Sequence, residues 1–288
     1  MVSSAITHDV GIHVSISGRM DLSVDRAIEL GCSGAFQIFT CSPRRWEAPQ
    51  LDANEVTAFR DKVMKSKYRV FAHMPYLPNL SSPDSTFYTK SINVLTREIE
   101  RCTALGVENL VLHFGSHMNT SLESGKKRIV EAAKKAISNT PESTVRLLFE
   151  NSADAKSVGA RFEMIDAVLK GVNVNGRTGV CLDTCHAFAS GYDLRSEETV
   201  KATSETIAST VGLNRLYLIH LNDSKGKLGS ASDRHEDIGK GQIGVAGITA
   251  ILNSPELNEL AVVLETPLDF EGEDTQNIAT TKKLIRSA

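Results

Sequence analysis

Side chains of the kinds that bind divalent metal ions lie at the ends of short apolar segments along this sequence. Seven of eight such segments carry one at or near their end: His13, His73, His113, Glu150, Asp183, His220 and Glu265. Imidazole and carboxylate groups suit zinc or manganese, and a carboxylate has two oxygens with which to bridge two cations. Because one ion takes only about three or four protein ligands, the set predicts roughly two or three metal ions, an arrangement used for displacement at phosphorus.

The stretch CLDTCHAF (181–188) adds a further ligand close to a segment end. Asp183 ends its apolar segment and His186 follows three residues later, so we expect His186 to reach back from the first turn beyond the strand. Cys181 and Cys185 flank Asp183, but the set of oxygen and nitrogen ligands is complete without them, and we do not expect thiolate ligands. Asp183 and His186 are therefore predicted to serve neighbouring ions.

The stretch DRHEDIGKGQIG (233–244) fits two incompatible patterns. Its second half has the G-x-G-x-x-G spacing of a dinucleotide loop, but such a loop follows an apolar strand, whereas this one follows charged residues. In its first half, Asp233 and His235 are two residues apart, so in an extended loop both project to the same side and can chelate one cation. We interpret the glycines as letting the loop lie close to the metal centre, with Lys240 as a candidate phosphate contact.

The apolar segments alternate with longer amphipathic stretches to the end of the sequence. The apolar segments span 9–14, 34–39, 68–73, 108–113, 144–150, 178–183, 215–221 and 261–266, and the helical patterns span 21–30, 54–66, 86–104, 122–138, 159–170, 197–211, 246–252 and 274–286. No linker rich in Gly, Ser or Pro interrupts the series, so we predict one α/β domain over residues 1–288, a (β/α)8 TIM barrel. Because all strands of such a barrel end on one face, the ligand-type side chains are expected to converge there.

The composition is typical of a globular protein with a large core. The chain has 288 residues, 41% hydrophobic and 23% charged, which excludes disordered and collagen-like proteins. Its formal net charge of −3 gives no general indication of a polyanionic partner. Five cysteines form no disulfide framework, and no stretch resembles a membrane span or a signal peptide. We therefore expect an intracellular, cytoplasmic protein with no membrane partner.

The motifs and their order resemble the endonuclease IV family, the zinc-dependent apurinic/apyrimidinic endonucleases of base-excision repair. The resemblance runs through GIHVS, FAHMPYLPNL, LVLHFGSH, LLFENSA, GVCLDTCHAFASGYDL, IHLNDSK, DRHEDIGKGQIG and VVLETP. It implies a TIM barrel with about three zinc ions, manganese being an alternative at one site. The first zinc would take His73, His113 and Glu150; the second would share Glu150 and take Asp183, His220 and Glu265; the third would take His186, Asp233 and His235.

The resemblance also implies a reaction and a partner. The substrate would be duplex DNA that contains an abasic site, cut by hydrolysis of the phosphodiester bond 5′ to the lesion to leave a 3′-hydroxyl and a 5′-deoxyribose phosphate, with Glu150 as the catalytic carboxylate. CSPRRW matches the loop that supplies a DNA-inserting arginine, here Arg44, and HMPYLPNL matches the loop whose Tyr76 and Leu77 would wedge into the duplex. A monomer is expected.

Two other functions stay open at this point. A xylose-isomerase-like sugar isomerase or epimerase would hold one divalent metal for proton transfer beside a sugar carbonyl, using Glu150, Asp183, His220 and Glu265. Such an enzyme has no need of the ligand pair in DRHEDIGKGQIG. The third function is non-catalytic binding of metal or damaged DNA, which we disfavour because a buried metal centre with activated water is hard to keep inert.

Two histidines beyond the ligand set have roles that the pattern leaves undecided. His13 lies on the inner face of its segment, where it either supports the metal ligands or belongs to the core. His117 in FGSHMN is expected to make a hydrogen bond within its loop rather than to bind metal.

Overall fold

The eight apolar segments form the strands of a parallel barrel in a computed structural model that describes residues 8–154, 156–267 and 272–286. The barrel strands are β1 (Val10–Ile12), β2 (Ala35–Phe39), β3 (Arg69–His73), β4 (Asn109–His113), β5 (Arg146–Glu150), β6 (Thr178–Asp183), β7 (Leu216–His220) and β10 (Ala261–Leu264), with a small antiparallel pair, β8 (Asp223–Ser224) and β9 (His235–Glu236), between the last two. Their spatial order is β1, β10, β7, β6, β5, β4, β3, β2. A parallel bridge between His13 and Gln37 joins β1 to β2, so the predicted (β/α)8 barrel is confirmed.

Helices follow each barrel strand and surround the sheet. They are α1 (Leu22–Glu29), α2 (Ala53–Ser66), α3 (Ser85–Leu105), α4 (Leu122–Asn139), α5 (Phe162–Val172), α6 (Thr184–Ala189), α7 (Glu197–Ser209), α8 (Gly244–Leu252) and α9 (Glu273–Leu284). Five of them begin where a side-chain oxygen accepts a hydrogen bond from a free N–H of the first turn, as helix N-termini require: Asp52, Asp84, Ser121, Asp183 and Ser196. Within the described ranges, no helix is long and apolar enough to span a membrane.

The inner faces of the strands explain where the ligand-type residues lie. An apolar layer crosses the inside of the barrel: Ala35, Phe71, Val111, Leu148, Cys181, Leu218, Ala261 and Val263. Side chains alternate between the two faces of a strand, so the residue two positions further along points inward as well. In six strands that residue is one of the predicted ligands. The apolar layer is therefore the floor beneath a polar site at the carboxyl ends of the strands.

Candidate metal centre

Glu150, at the end of β5, occupies the middle of the polar site. Its Oε2 lies 3.2 Å from His73 Nε2 and 3.8 Å from His113 Nδ1. Its Oε1 lies 3.1 Å from His186 Nδ1 and 3.4 Å from His220 Nδ1. Burial favours the protonated acid, yet these histidines hold the pKa of Glu150 well below its usual range. One fully buried carboxylate thus faces four imidazole rings, two on each oxygen.

A second group forms around Asp233, which lies on the loop between β8 and β9. Its Oδ1 is 3.0 Å from His186 Nε2 and 3.3 Å from His235 Nε2. His235 Nε2 is also 3.6 Å from Asp183 Oδ2. Burial disfavours a charged ring, but Asp183 and Asp233 raise the pKa of His235 to about 9. Carboxylates that stabilise a proton on this ring would equally stabilise a divalent cation beside it.

The predicted ligands fall into groups whose donor atoms lie within 4.8 Å of one another. The groups are His73 with His113 and Glu150; Glu150 with Asp183, His220 and Glu265; Asp183 with His186 and His235; and Cys185 with Asp233 and His235. The first two correspond to the ligand sets that the resemblance implies for two zinc ions, and Glu150 belongs to both. The structure therefore brings all nine predicted ligands together at one end of the barrel.

Atoms of this cluster that make no hydrogen bond show that its residues fit metal ions. Within the described part of the chain, four buried atoms of the cluster make no hydrogen bond: Glu150 Oε1, His186 Nε2, His220 Nδ1 and His235 Nε2. Buried polar atoms without partners are costly, and a cation coordinated by these oxygen and nitrogen atoms would satisfy them. Several of its His, Asp and Glu groups could therefore bind metal.

Three amide side chains that the sequence reasoning missed hold the ligands in place. Gln37 Oε1 lies 2.9 Å from His220 Nε2, and its Nε2 donates to Glu265 Oε1 at 2.6 Å. Asn222 donates to Asp183 Oδ2 at 2.7 Å. Asn151 Oδ1 accepts from the backbone N–H of Asp183 at 2.7 Å. Only their positions in the sequence could have indicated these roles. Gln37 points inward on β2, and the two asparagines follow predicted ligands by one or two residues.

His13 and His117 lie outside the metal-binding groups found among the described residues, whereas Cys185 belongs to one of them. His13 Nδ1 is 3.0 Å from Gln37 Nε2 and 3.7 Å from Glu265 Oε1, and it belongs to none of the groups found among the described residues. His117 Nε2 is 3.1 Å from the carbonyl oxygen of Lys156, the kind of loop contact expected for it. Burial raises the pKa of the Cys185 thiol to about 12. That Cys185 is not a ligand stays a prediction, because its sulfur lies with Asp233 and His235 in one of the groups.

The residues predicted to contact DNA lie on neighbouring loops next to this centre. Arg44 follows β2 and is exposed, whereas Tyr76 and Leu77 follow β3, the strand that pairs with β2. Tyr76 is 56% exposed, and its ring meets that of Phe39 edge to face at 6.3 Å. Among the described residues, neither loop contributes a ligand to the metal-binding groups. The two loops form one rim of the site.

The loop that carries Arg44 is tied at both ends to helix α3. Arg101 donates to the carbonyl oxygens of Thr40 at 2.5 Å and of Pro49 at 2.7 Å. The hydroxyl of Thr40 donates to Glu98, which is fully buried, also at 2.5 Å. These bonds leave the segment 42–45 as an exposed tip on a fixed base.

Comparisons with known proteins agree with this geometry. Residues 24–287 match the family of xylose isomerase-like TIM barrels. The chain is 46% identical over 277 residues to a probable endonuclease 4 from Methanoculleus marisnigri, covering 96% of this chain and 98% of that protein. It superposes on the crystal structure of endonuclease IV from Thermus thermophilus with a TM-score of 0.84 and 35% identity, over 96% and 98% of the two chains. A D-tagatose 3-epimerase-like protein shares the fold, with a TM-score of 0.71 at 16% identity over 96% of each chain.

Proposed function

Since the chain belongs to the endonuclease IV family, we propose that it cleaves duplex DNA at abasic sites, hydrolysing the phosphodiester bond 5′ to the lesion. The products are a 3′-hydroxyl and a 5′-deoxyribose phosphate end. The observation that carries the proposal is the position of Glu150, whose two oxygens face four imidazoles at the open end of the barrel. A cluster of this kind suits a reaction in which negative charge develops on phosphate oxygens.

We assign about three zinc ions to the cluster, with manganese as an alternative at one site. His73, His113 and Glu150 would hold one ion, and Glu150, Asp183, His220 and Glu265 would hold a second. His186, Asp233 and His235 would hold the third. When bound, zinc lowers the pKa of water and stabilises negative charge on phosphate oxygens.

The side chains of this protein prepare the reaction by fixing the geometry of the centre. Glu150 is the catalytic carboxylate: it orients the attacking water with an oxygen that makes no hydrogen bond in the described part of the chain. Gln37 and Asn222 hold Glu265, His220 and Asp183 in place, so that little reorganisation is needed when the phosphate arrives. The apolar layer beneath excludes water from the other side of the site.

Recognition of the lesion falls to the rim. Arg44 reaches the duplex from one loop, and Tyr76 and Leu77 insert from the other, unstacking a base step so that the nucleotide at the lesion swings out toward the metal centre. An abasic nucleotide lacks a base to unstack, so its extrusion costs less than that of an intact nucleotide. We expect a monomer to suffice, because both loops and the metal centre belong to one chain. We also expect the protein to be intracellular.

The sugar isomerase alternative has weaker support. Its one metal would use the group around Glu150, Asp183, His220 and Glu265, leaving His186, Asp233 and His235 without a purpose. The D-tagatose 3-epimerase-like protein is only 16% identical to this chain and shares the fold alone.

The decisive experiment compares two duplexes that differ at one position. A labelled duplex with a single abasic site should be cut once, on the 5′ side of the site, whereas the undamaged duplex should remain intact. Protein freed of metal with a chelator should cut neither duplex. Restoring zinc should restore cleavage of the abasic duplex alone. Intact abasic DNA together with turnover of a ketose would instead support the isomerase alternative.

Metal content gives an independent prediction. We expect about three zinc ions per chain in the purified protein and about two in His186→Ala, since this ring is shared by the group around Asp233. His117→Ala is the matched control, because His117 lies on the same face outside the groups, and it should keep the full complement. Elemental analysis that finds one ion in the wild-type protein, or no loss in His186→Ala, would contradict the assignment.

A further inference from the structure

The glycine-rich half of DRHEDIGKGQIG wraps around a carboxylate of the protein itself. Asp223 on β8 is fully buried. Its Oδ1 accepts from the backbone N–H groups of Ser224 at 2.8 Å and Ile243 at 2.9 Å. Its Oδ2 accepts from the N–H groups of Gly241 at 3.0 Å and Gly244 at 3.1 Å. Converging backbone N–H groups commonly bind phosphate, but here an internal anion fills them.

The same carboxylate lies next to the strand pair that carries a predicted metal ligand. Asp223 pairs with Glu236, and Ser224 pairs with His235, in the antiparallel β8–β9 ladder. The chain of Ser224 is held from the other side as well, because its carbonyl oxygen accepts from the N–H of Gln242 at 2.7 Å. The glycine loop therefore fixes the strand against which the backbone of His235 is aligned.

Space around Gly241 shows how closely the loop fits the carboxylate. A Cβ atom on this residue would lie 2.5 Å from Asp223 Oδ1 and 2.5 Å from the carbonyl oxygen of Ser224. Both distances are far below van der Waals contact, so only glycine permits this approach. Gly241 thus serves a contact within the protein. This role does not require the preceding apolar strand that a dinucleotide-binding loop has.

We propose that Asp223 is a positioning residue for the metal site formed by His186, Asp233 and His235. Its carboxylate locks the glycine loop onto β8, and the β8–β9 ladder in turn sets where Asp233 and His235 meet His186. The inference rests on the proposed metal centre but not on its DNA substrate. Asp223 itself belongs to none of the metal-binding groups found within residues 8–154, 156–267 and 272–286.

The test replaces Asp223 with asparagine and measures zinc rather than cleavage. The amide turns one acceptor into an N–H group that faces backbone donors, so the loop should loosen while the ligands remain. We expect the most weakly held zinc to bind roughly 10- to 100-fold less tightly, the usual cost of losing a group that orients metal ligands. Competition with a colorimetric zinc chelator, combined with elemental analysis after dialysis, should then find about two retained ions where the wild type has about three.

A double variant identifies which site is affected. If Asp223 acts through the β8–β9 pair, Asp223→Asn combined with His235→Ala should lose no more zinc than His235→Ala alone, because both changes act on one ion. Asp223→Asn combined with His73→Ala should lose two ions. Additive losses in the first combination would overturn the proposal, as would unchanged zinc affinity in Asp223→Asn.

Two further variants separate positioning from loss of the fold. Gly241→Ala attacks the same contact from the loop side without altering any carboxylate, and should reproduce the selective zinc loss. Asp21→Asn neutralises another buried carboxylate, 4% exposed and paired with Arg19 and Lys62, and should keep all zinc. Equal loss of every ion in both Asp223→Asn and Gly241→Ala would overturn the proposal. Selective zinc loss in the variants, together with failure of the zinc-loaded wild-type protein to cut abasic DNA, would reject the proposed function and leave this inference standing.

Discussion

Replacing Glu150 with glutamine is expected to lower the rate of cleavage at an abasic site by roughly 10³-fold, while leaving the affinity for the DNA little changed. The amide keeps the shape of the side chain but removes its charge and one of its acceptor oxygens. In the variant, the amide nitrogen would present an N–H group to imidazoles that face a carboxylate oxygen in the wild-type protein. The Arg44 and Tyr76 loops, which we propose hold the duplex, are untouched.

Single-turnover cleavage and DNA titration on the same preparation measure the two quantities separately. Glu131→Gln, on the exposed surface of α4, is the matched control and should cleave at the wild-type rate. Turnover by Glu150→Gln close to that of the wild type would remove Glu150 from the mechanism. A parallel loss of DNA affinity would mean that the carboxylate supports substrate binding instead.

Replacing both Tyr76 and Leu77 with alanine is expected to weaken binding to abasic duplex by roughly 10- to 100-fold, with little effect on undamaged duplex. The two side chains act only where a nucleotide leaves the stack, and an intact base pair resists that by a few kcal/mol. Contacts to backbone phosphates supply the affinity that both duplexes share, and that contribution weakens with salt. Zinc content should not change, because neither side chain belongs to a metal-binding group among the described residues.

The measurement is a pair of titrations at one fixed salt concentration, with metal analysis of the same sample. Met64→Ala is a suitable control for the loss of exposed apolar surface, since Met64 is 70% exposed near the end of α2. In a (β/α)8 barrel that end of a helix lies on the face opposite the strands' carboxyl ends. An equal fall in affinity for both duplexes, or loss of zinc, would refute the wedge.

The barrel and the positions of the ligand-type residues were predictable because both follow from one period. Alternation along each strand places Val111 and His113, or Leu148 and Glu150, on the same inner face. The first residue of each pair belongs to the apolar layer and the second to the polar site above it. Every barrel strand was predicted with ends at most two residues from those observed. The amphipathic pattern of the longer stretches likewise distinguished the helices from the strands that they follow.

Elements too short to show a period could not be predicted in this way. Helix α6 has six residues and begins where the side chain of Asp183 accepts from the N–H of His186. The β8–β9 pair has two residues in each strand and lies beside the glycine loop that closes around Asp223. Gln37 was missed for a related reason, since an amide has no characteristic spacing and its role appears only when three strands meet.

The attachment of the Arg44 loop to α3 has a consequence for how damage is sensed. Because Arg101 and Glu98 fix the base of this loop within the protein, the backbone at that base would lose little conformational entropy on binding DNA. If the base of the Arg44 loop does not move, the duplex must deform to accommodate it. A duplex deforms most easily where a base is missing. On the proposed function, the protein would then sense the local stiffness of the double helix, and it would recognise an abasic site as the most easily deformed position.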